Sequence, residues 1–195
     1  MEGNGMAGGG STEQMTGNGN GTGMGNGRRT LVVYYSRSGT THKVAEELAR
    51  ELGADLERIT DHEDRKGFIG YMKSGREAST DILVDIDEPK WDPAGYDLVV
   101  IGTPVWAWKM CSPVRSYLAK YAGRIKEAAY FCTADGKEGK TLEGMATFAG
   151  KPAKASMVIY RKSVLRNEHI GKVREFVSKL NGNGSDKKAE EGALA

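Results

Sequence analysis

The stretch Thr30-Leu-Val-Val-Tyr-Tyr-Ser-Arg-Ser-Gly-Thr-Thr41 decides the fold of this 195-residue chain. Its first half, residues 30–35, is an uninterrupted run of β-branched, aliphatic and aromatic residues, which predicts a strand covered on both faces of a sheet. Its second half is a polar turn that leads into residues 41–52, where apolar side chains recur at helical spacing before Gly53. A strand, a turn and a helix in this order predict a βα unit of a parallel sheet.

Strand and helix patterns alternate along the rest of the chain. Further strands are predicted at 97–101, 128–133 and 155–160, with a short one at 56–60. Ser112-Pro113 opens a second helix, and a last helix is predicted from about Asn167 to Leu180. Between 61 and 89, a short helix would face Phe68, Tyr71 and Met72 inward. The alternation predicts an α/β fold, a three-layer doubly wound parallel sheet.

Composition divides the chain into a body and two tails. Residues 1–27 hold eleven of the 27 glycines and few apolar side chains, so they are predicted to form a disordered Gly/Asn-rich tail. Residues 181–195 mix Gly with Lys and Glu after a helix-stop signal and are predicted to form a flexible tail. One domain is therefore expected, over residues 28–180.

Charge and cysteine usage exclude several classes of protein. The domain carries 26 Lys and Arg against 21 Asp and Glu, but these charges are interspersed, so nucleic-acid binding is not predicted. No apolar window reaches membrane-spanning length, so membrane insertion is not expected. No secretory leader is visible, so a cytoplasmic location is expected. Cys111 and Cys132 have neither disulfide nor metal spacing, and Arg115 comes too early for a Cys-x5-Arg phosphatase cradle.

Two loops carry the chemistry, and both follow predicted strands. The first, residues 36–41, offers hydroxyls, backbone N–H groups and a flexible Gly39 where a helix begins, which suits a phosphate group. The second, residues 103–108, offers the indoles of Trp106 and Trp108, on which a flat ring can stack. Neither a Gly-Lys-Ser/Thr loop nor a Gly-x-Gly-x-x-Gly pattern is present in the first loop, so nucleotide hydrolysis and dinucleotide binding are not predicted. The simplest ligand is a phosphorylated, planar cofactor.

These residues resemble the flavodoxin superfamily of FMN proteins. The resemblance rests on Ser-x-Ser-Gly-x-Thr after the first strand, then Asp97-Leu-Val-Val-Ile-Gly-Thr-Pro-Val-Trp, then Phe131-Cys-Thr-Ala-Asp-Gly136, and it covers residues 28–180. It implies a flavodoxin-like strand order, 2-1-3-4-5, and bound FMN. The FMN-binding residues that it implies are Ser36, Arg37, Ser38, Gly39, Thr40 and Thr41 around the phosphate, Thr103, Pro104, Val105, Trp106, Ala107 and Trp108 along the ribityl chain and the ring, and Thr133, Ala134, Asp135 and Gly136 at the pyrimidine edge.

Departures from the flavodoxin pattern bear on the type of redox protein. The domain is mildly basic and has no aromatic residue between Thr133 and Met145, so one ring face is expected to be open and at most one of the two indoles to stack. An open face suits a small NAD(P)H or quinone oxidoreductase, whereas an electron carrier would dock a redox partner protein; both alternatives stay open, as does a homodimer. His42 and His62 are not assigned a role, and no catalytic residue or metal site is predicted.

An alternative comes from a different class of protein. Phosphosugar-binding domains of the sugar-isomerase type also carry Ser-x-Ser-Gly-x-Thr between a strand and a helix, and Gly53-Ala-Asp55 and Ile59-Thr60 resemble that pattern too. Such domains place helices before this motif, where the present chain has only its glycine-rich tract. A flavodoxin fold that has lost its cofactor and serves as an interaction module is a third alternative. Flavin colour would distinguish the FMN protein from the other two, and stabilisation against heat by sugar phosphates would identify the phosphosugar-binding domain.

Overall fold

The computed structural model of the protein describes residues 27–61 and 82–182. Within these two stretches the chain forms one six-stranded sheet. The strands are β1 (Thr30–Tyr34), β2 (Asp55–Arg58), β3 (Leu98–Trp106), β4 (Lys109–Met110), β5 (Glu127–Ala134) and β6 (Ala153–Tyr160). Five of them run parallel in the order β2-β1-β3-β5-β6, and β4 pairs antiparallel with the end of β3. Without the two-residue β4 this is the predicted order 2-1-3-4-5, which is confirmed.

Helices cover both faces of this sheet. They are α1 (Thr40–Leu52), α2 (Ser112–Tyr121), α3 (Thr141–Ala149), α4 (Arg161–Leu165) and α5 (Ile170–Leu180). Side chains alternate between the two faces of a strand, so Leu31 and Val33 of β1 join the core under α2 and α3, whereas Val32 and Tyr34 join the core under α1 and α5. The predicted three-layer α/β architecture is therefore confirmed, and the apolar run of β1 is buried on both sides.

The central strand β3 is longer than its predicted range of 97–101. Its ladder with β5 continues through Gly102 to Pro104, opposite Thr133. Gly102 is required inside the strand because a Cβ there would overlap the ring of Phe131. Glycine and proline are typical of loops, and this is why the sequence pattern ends the strand early.

The helices after β5 also differ from expectation. The predicted helix from Asn167 to Leu180 begins only at Ile170, because Asn167 adopts a left-handed backbone (φ 56°) that separates α5 from α4. Helix α3 was not predicted, since it buries only Thr141, Met145 and Ala149 and contains a central glycine.

Some predictions fall outside the described residues. These are the short helix with Phe68, Tyr71 and Met72, His62, and nearly all of the tails at 1–27 and 181–195. In the two described stretches, no helix has the length and apolar character needed to cross a bilayer.

Candidate functional site

Three loops, at residues 36–41, 103–108 and 133–140, meet at one edge of the sheet because β1, β3 and β5 are neighbours and run in the same direction. They enclose a cavity of about 430 Å³, within the roughly 300–1,000 Å³ typical of small-molecule sites. Its wall consists of Arg37, Ser38, Thr40, Thr41, Pro104, Val105, Trp106, Ala107, Trp108, Thr133, Ala134, Asp135, Gly136, Lys137 and Arg161. The carboxyl ends of parallel strands are where ligands bind in open α/β sheets.

The first loop prepares the start of α1 for an anion. Gly39 occupies the N-cap position with a left-handed backbone (φ 86°), and no side chain caps the helix. The N–H of Lys43 donates to the Gly39 carbonyl, so the three preceding N–H groups, at 40–42, have no acceptor within the helix. The first turn also holds no acidic side chain. An anionic ligand would supply both the missing acceptors and a charge that the helix dipole favours.

Ser36 stabilises this loop through hydrogen bonds but does not line the cavity. Its buried hydroxyl oxygen accepts a hydrogen bond from the Gly39 N–H at 3.2 Å, and its carbonyl accepts one from Arg58 Nη2 at 3.2 Å. These two bonds hold the turn that brings Ser38 and Thr40 to the cavity wall.

The first and third loops are joined by a pair of threonine hydroxyls. Thr41 Oγ1 lies 2.8 Å from Thr133 Oγ1, and both side chains are buried. One hydroxyl donates to the other, so the second still has a proton to donate, and both keep acceptor capacity. Since both residues line the cavity, that remaining proton is available to a ligand there.

The second loop is a tight hairpin between β3 and β4. Trp106 pairs with Lys109, which leaves Ala107 (φ 48°) and Trp108 (φ 61°) as a two-residue turn with both backbones left-handed. Such turns usually carry Asn-Gly, and a left-handed non-glycine residue costs about 1–3 kcal/mol. Contacts with the surrounding structure offset the cost of this turn. The turn also places the side chain of Trp108 at the tip of the hairpin.

The two predicted indoles occupy different environments, although both line the cavity. Trp106 is 7% exposed and meets the ring of Tyr35 edge to face, with centroids 5.6 Å apart. Trp108 is 66% exposed. Trp106 is thus a fixed part of the wall, and Trp108 forms its rim.

Thr103 is one of three predicted contacts that do not line the cavity. Its buried hydroxyl accepts a hydrogen bond from the Cys111 N–H at 3.0 Å and lies 3.3 Å from Cys111 Sγ. This places Thr103 as a brace across the base of the hairpin. All predicted contact residues except Ser36, Gly39 and Thr103 lie on the cavity wall.

The third loop braces the hairpin through a glycine. Gly139 has a left-handed backbone (φ 59°), and a Cβ at this position would lie 2.7 Å from Trp108 Cβ and 2.8 Å from the Trp108 carbonyl oxygen. Only glycine permits this approach without a shift of either segment.

Among the described residues of the wall, positive charge exceeds negative charge. Arg37, Lys137 and Arg161 contribute three cations, and Asp135 contributes one carboxylate, 3.6 Å from Arg161 Nη1. Sequence reasoning missed Lys137 and Arg161. The signal for Arg161 was available, because it follows β6 and the carboxyl end of a fourth parallel strand reaches the same edge.

Cys132 lies on β5 directly before Thr133, but it is inert. Burial raises the pKa of its thiol to about 12. Cys111 is also buried. Both cysteines are therefore structural, and neither lines the cavity.

The family model described as Flavodoxin matches residues 29–157. Among solved structures, the chain is similar to a flavoprotein in complex with FMN from Lactobacillus acidophilus NCFM, with 23% identity and a TM-score of 0.61 over 75% of this chain and 99% of that one. The apo form of the flavoprotein from the same organism shares 26% identity, with a TM-score of 0.51 over 69% of this chain and 93% of that one.

A solved structure with lower sequence identity has the same fold. A flavodoxin from the domain Archaea shares 11% identity, with a TM-score of 0.51 over 80% of this chain and 97% of that one. No curated protein sequence matches the chain significantly. The family match gives no support to the phosphosugar-binding alternative.

Proposed function

Because this chain belongs to the flavodoxin family, we propose that its cavity binds FMN and that the protein is a redox protein that works through the bound flavin. The observation that carries the proposal is the uncapped start of α1 in front of a cavity walled by Trp106. Phosphate needs several donors and a favourable field, and a flat ring needs an apolar wall. The cavity offers both within one enclosure.

The residues present fit FMN part by part. The N–H groups at the start of α1, with Ser38, Thr40 and Thr41, would hold the phosphate. The segment from Pro104 to Trp108 would line the ribityl chain and the ring, and Thr133 to Gly136 would approach the pyrimidine edge through backbone groups. Bound FMN supplies transfer of one or two electrons, and the protein supplies position and electrostatics.

The cations on the wall give this site its electrostatic character. Negative charge in the cavity is stabilised by Arg37, Lys137 and Arg161. A flavin bound here would therefore take up electrons more readily than a flavin in a site surrounded by carboxylates. The Asp135 carboxylate opposes this in part. We expect a higher midpoint potential than in an acidic electron carrier of the same fold.

Reconstitution with two flavins tests the proposal. The FMN-free protein should regain a yellow, protein-bound flavin spectrum with FMN and bind riboflavin far more weakly, because riboflavin lacks the phosphate. The Ser38→Ala/Thr41→Ala double variant removes hydroxyl donors worth about 1.5–3 kcal/mol each to a charged partner. It should lose FMN affinity by two orders of magnitude or more while its riboflavin affinity changes little, which makes riboflavin the matched control.

Two results would overturn the proposal. One is equal affinity of the wild-type protein for FMN and riboflavin, which would show that the phosphate does not contribute to binding. The other is a colourless protein that ignores FMN and is stabilised against heat by sugar phosphates.

The same preparation separates an enzyme from a carrier. We propose an open ring face, reached past the exposed Trp108, that admits a small acceptor such as a quinone. Mixing the FMN-loaded protein with NADH or NADPH should then bleach the flavin band, and a quinone should restore it. Bleaching only by a reduced partner protein would identify a carrier instead.

A further inference from the structure

The imidazole of His42 belongs to the first turn of α1 and lies outside the wall of the cavity. Its Nδ1 is 2.6 Å from the hydroxyl oxygen of Tyr34, and its Nε2 is 3.3 Å from Oε1 of Glu46, one turn further along the helix. The rings of Tyr34 and His42 stack at an interplanar angle of 23°, with centroids 5.5 Å apart. Contacts from both β1 and α1 therefore fix the orientation of this imidazole.

The two partners of the imidazole determine where its protons lie. An ionised carboxylate only accepts hydrogen bonds, so Glu46 favours a proton on Nε2. In the neutral ring Nδ1 is then an acceptor for the Tyr34 hydroxyl. Burial raises the pKa of that hydroxyl, so it keeps its proton at neutral pH. A second proton, on Nδ1, would make the ring a cation and would deprive the Tyr34 hydroxyl of this acceptor.

The charged groups around this pair of rings come from α1 and β2. Among the described residues, those that act on the Tyr34 hydroxyl are Glu46 of α1 and Glu57 and Arg58 of β2. The two carboxylates favour a positive imidazole, whereas the guanidinium of Arg58 opposes it. Because these contributions partly cancel, the charge of His42 is sensitive to the field at the start of α1.

Binding of an anion reverses the sign of that field. The N–H groups at 40–42 form the positive end of the helix dipole, and the first turn holds no acidic side chain, so without an anion this end of the helix opposes a positive imidazole. A phosphate monoester held by those N–H groups carries up to two negative charges and favours a positive imidazole. Helical side chains lean towards the N-terminus of their helix, which is the end that the phosphate would occupy.

We propose that His42 is a specificity-determining residue for the phosphate of FMN: it takes up a proton from solvent when the phosphate binds, and its positive charge then stabilises the bound phosphate. Histidine suits this role because its side chain changes charge between about pH 5 and 8. The proposal rests on the proposed FMN site and adds a direction to it. Lowering the pH should strengthen FMN binding relative to a variant that is neutral at position 42, because the bound state holds the additional proton.

Fluorescence titrations of the full-length, flavin-free protein with FMN and riboflavin at pH 8.5 and pH 6.5 test the proposal. His42→Gln should bind FMN within about twofold of the wild type at pH 8.5 and about fivefold or more weakly than the wild type at pH 6.5. Comparing two proteins at one pH cancels the ionisation of the FMN phosphate itself. Riboflavin should bind both proteins equally at both pH values, which shows that the cavity is intact.

Two further variants separate charge from packing. His42→Lys carries a permanent charge, so it should match the wild type for FMN at pH 6.5 and bind more tightly than the wild type at pH 8.5. Lys43→Gln, which removes an exposed permanent cation from the same turn, should change FMN affinity by the same factor at both pH values.

Two results would overturn the role of His42. One is a ratio of wild-type to His42→Gln affinity for FMN that is the same at both pH values. The other is a loss of FMN affinity in His42→Lys as large as that in His42→Gln, which would assign the effect to imidazole packing. Equal affinity of the wild type for FMN and riboflavin is a different outcome, which would refute the phosphate site itself and this inference with it.

Discussion

The close approach of Gly139 to Trp108 makes Gly139→Ala a quantitative test of how the site is held together. Alanine in the left-handed region costs about 1–2 kcal/mol. The new Cβ would lie 2.7 Å from Trp108 Cβ and 2.8 Å from the Trp108 carbonyl oxygen, and relieving such overlap in a packed region costs about 1–3 kcal/mol. We therefore expect the unfolding free energy to fall by about 2–5 kcal/mol. For a domain of this size the melting temperature should fall on the order of 10 °C.

Urea unfolding followed by circular dichroism measures this change, and Gly136→Ala is the matched control. Gly136 lies in the same loop, but its backbone is not left-handed and, apart from its own chain neighbours, no described atom lies within 4 Å of the position of its Cβ. Its substitution should alter stability by less than about 0.5 kcal/mol. FMN affinity should also fall in Gly139→Ala, since the displaced hairpin carries both indoles of the cavity wall. A cost no larger than that of Gly136→Ala would refute the idea that the third loop braces the hairpin.

Two further predictions concern titratable groups in the interior. Burial raises the pKa of the Glu57 carboxyl, so its contribution to stability is complete below its pKa in the unfolded chain and is lost as pH rises through the folded-state pKa. Urea titrations of the wild type and of Glu57→Gln measure this effect. The wild type's advantage in unfolding free energy over Glu57→Gln should be larger at pH 4 than at pH 7. A difference that does not vary with pH would contradict this. Because burial raises the pKa of the Cys132 thiol to about 12, only about one such thiol in 10⁴ is ionised at pH 8. An aromatic disulfide reagent should therefore label the native protein far more slowly than the urea-unfolded chain. Rapid labelling of the native protein would count against a buried, inert thiol.

The centre of the sheet was predictable because β1 and most of β3 are buried on both faces. Residues 30–35 and 97–101 are nearly continuous apolar runs, and in a chain of alternating strands and helices such runs are typical of the central strands of a parallel sheet. The extension of β3 was not predictable, since Gly102 serves the ring of Phe131, which lies about thirty positions away in sequence. Helix α3 was missed because nine residues around a central glycine give little periodic signal.

The candidate site was predictable where a loop's chemistry is local and was not where it depends on packing. Hydroxyls, glycine and a helix start within residues 36–41 identified one wall from sequence alone. That Thr103 turns inward to Cys111 follows from a contact across the hairpin that no local pattern encodes. Arg161 was missed although it was predictable, because the expected strand order already placed β6 beside β5 and its carboxyl end at the same edge of the sheet.

The walls of the cavity come from the carboxyl ends of four adjacent strands, β1, β3, β5 and β6, which lie far apart along the chain, and this has a thermodynamic consequence. No fragment that lacks one of these strands contains the whole enclosure, and separating any one of them from its neighbour dismantles it. A molecule bound there is therefore linked to the cooperative unfolding of the sheet, and at 100 times its dissociation constant it would add about 2.7 kcal/mol to the stability of the domain. Supply of that molecule would then raise the fraction of the polypeptide that is folded.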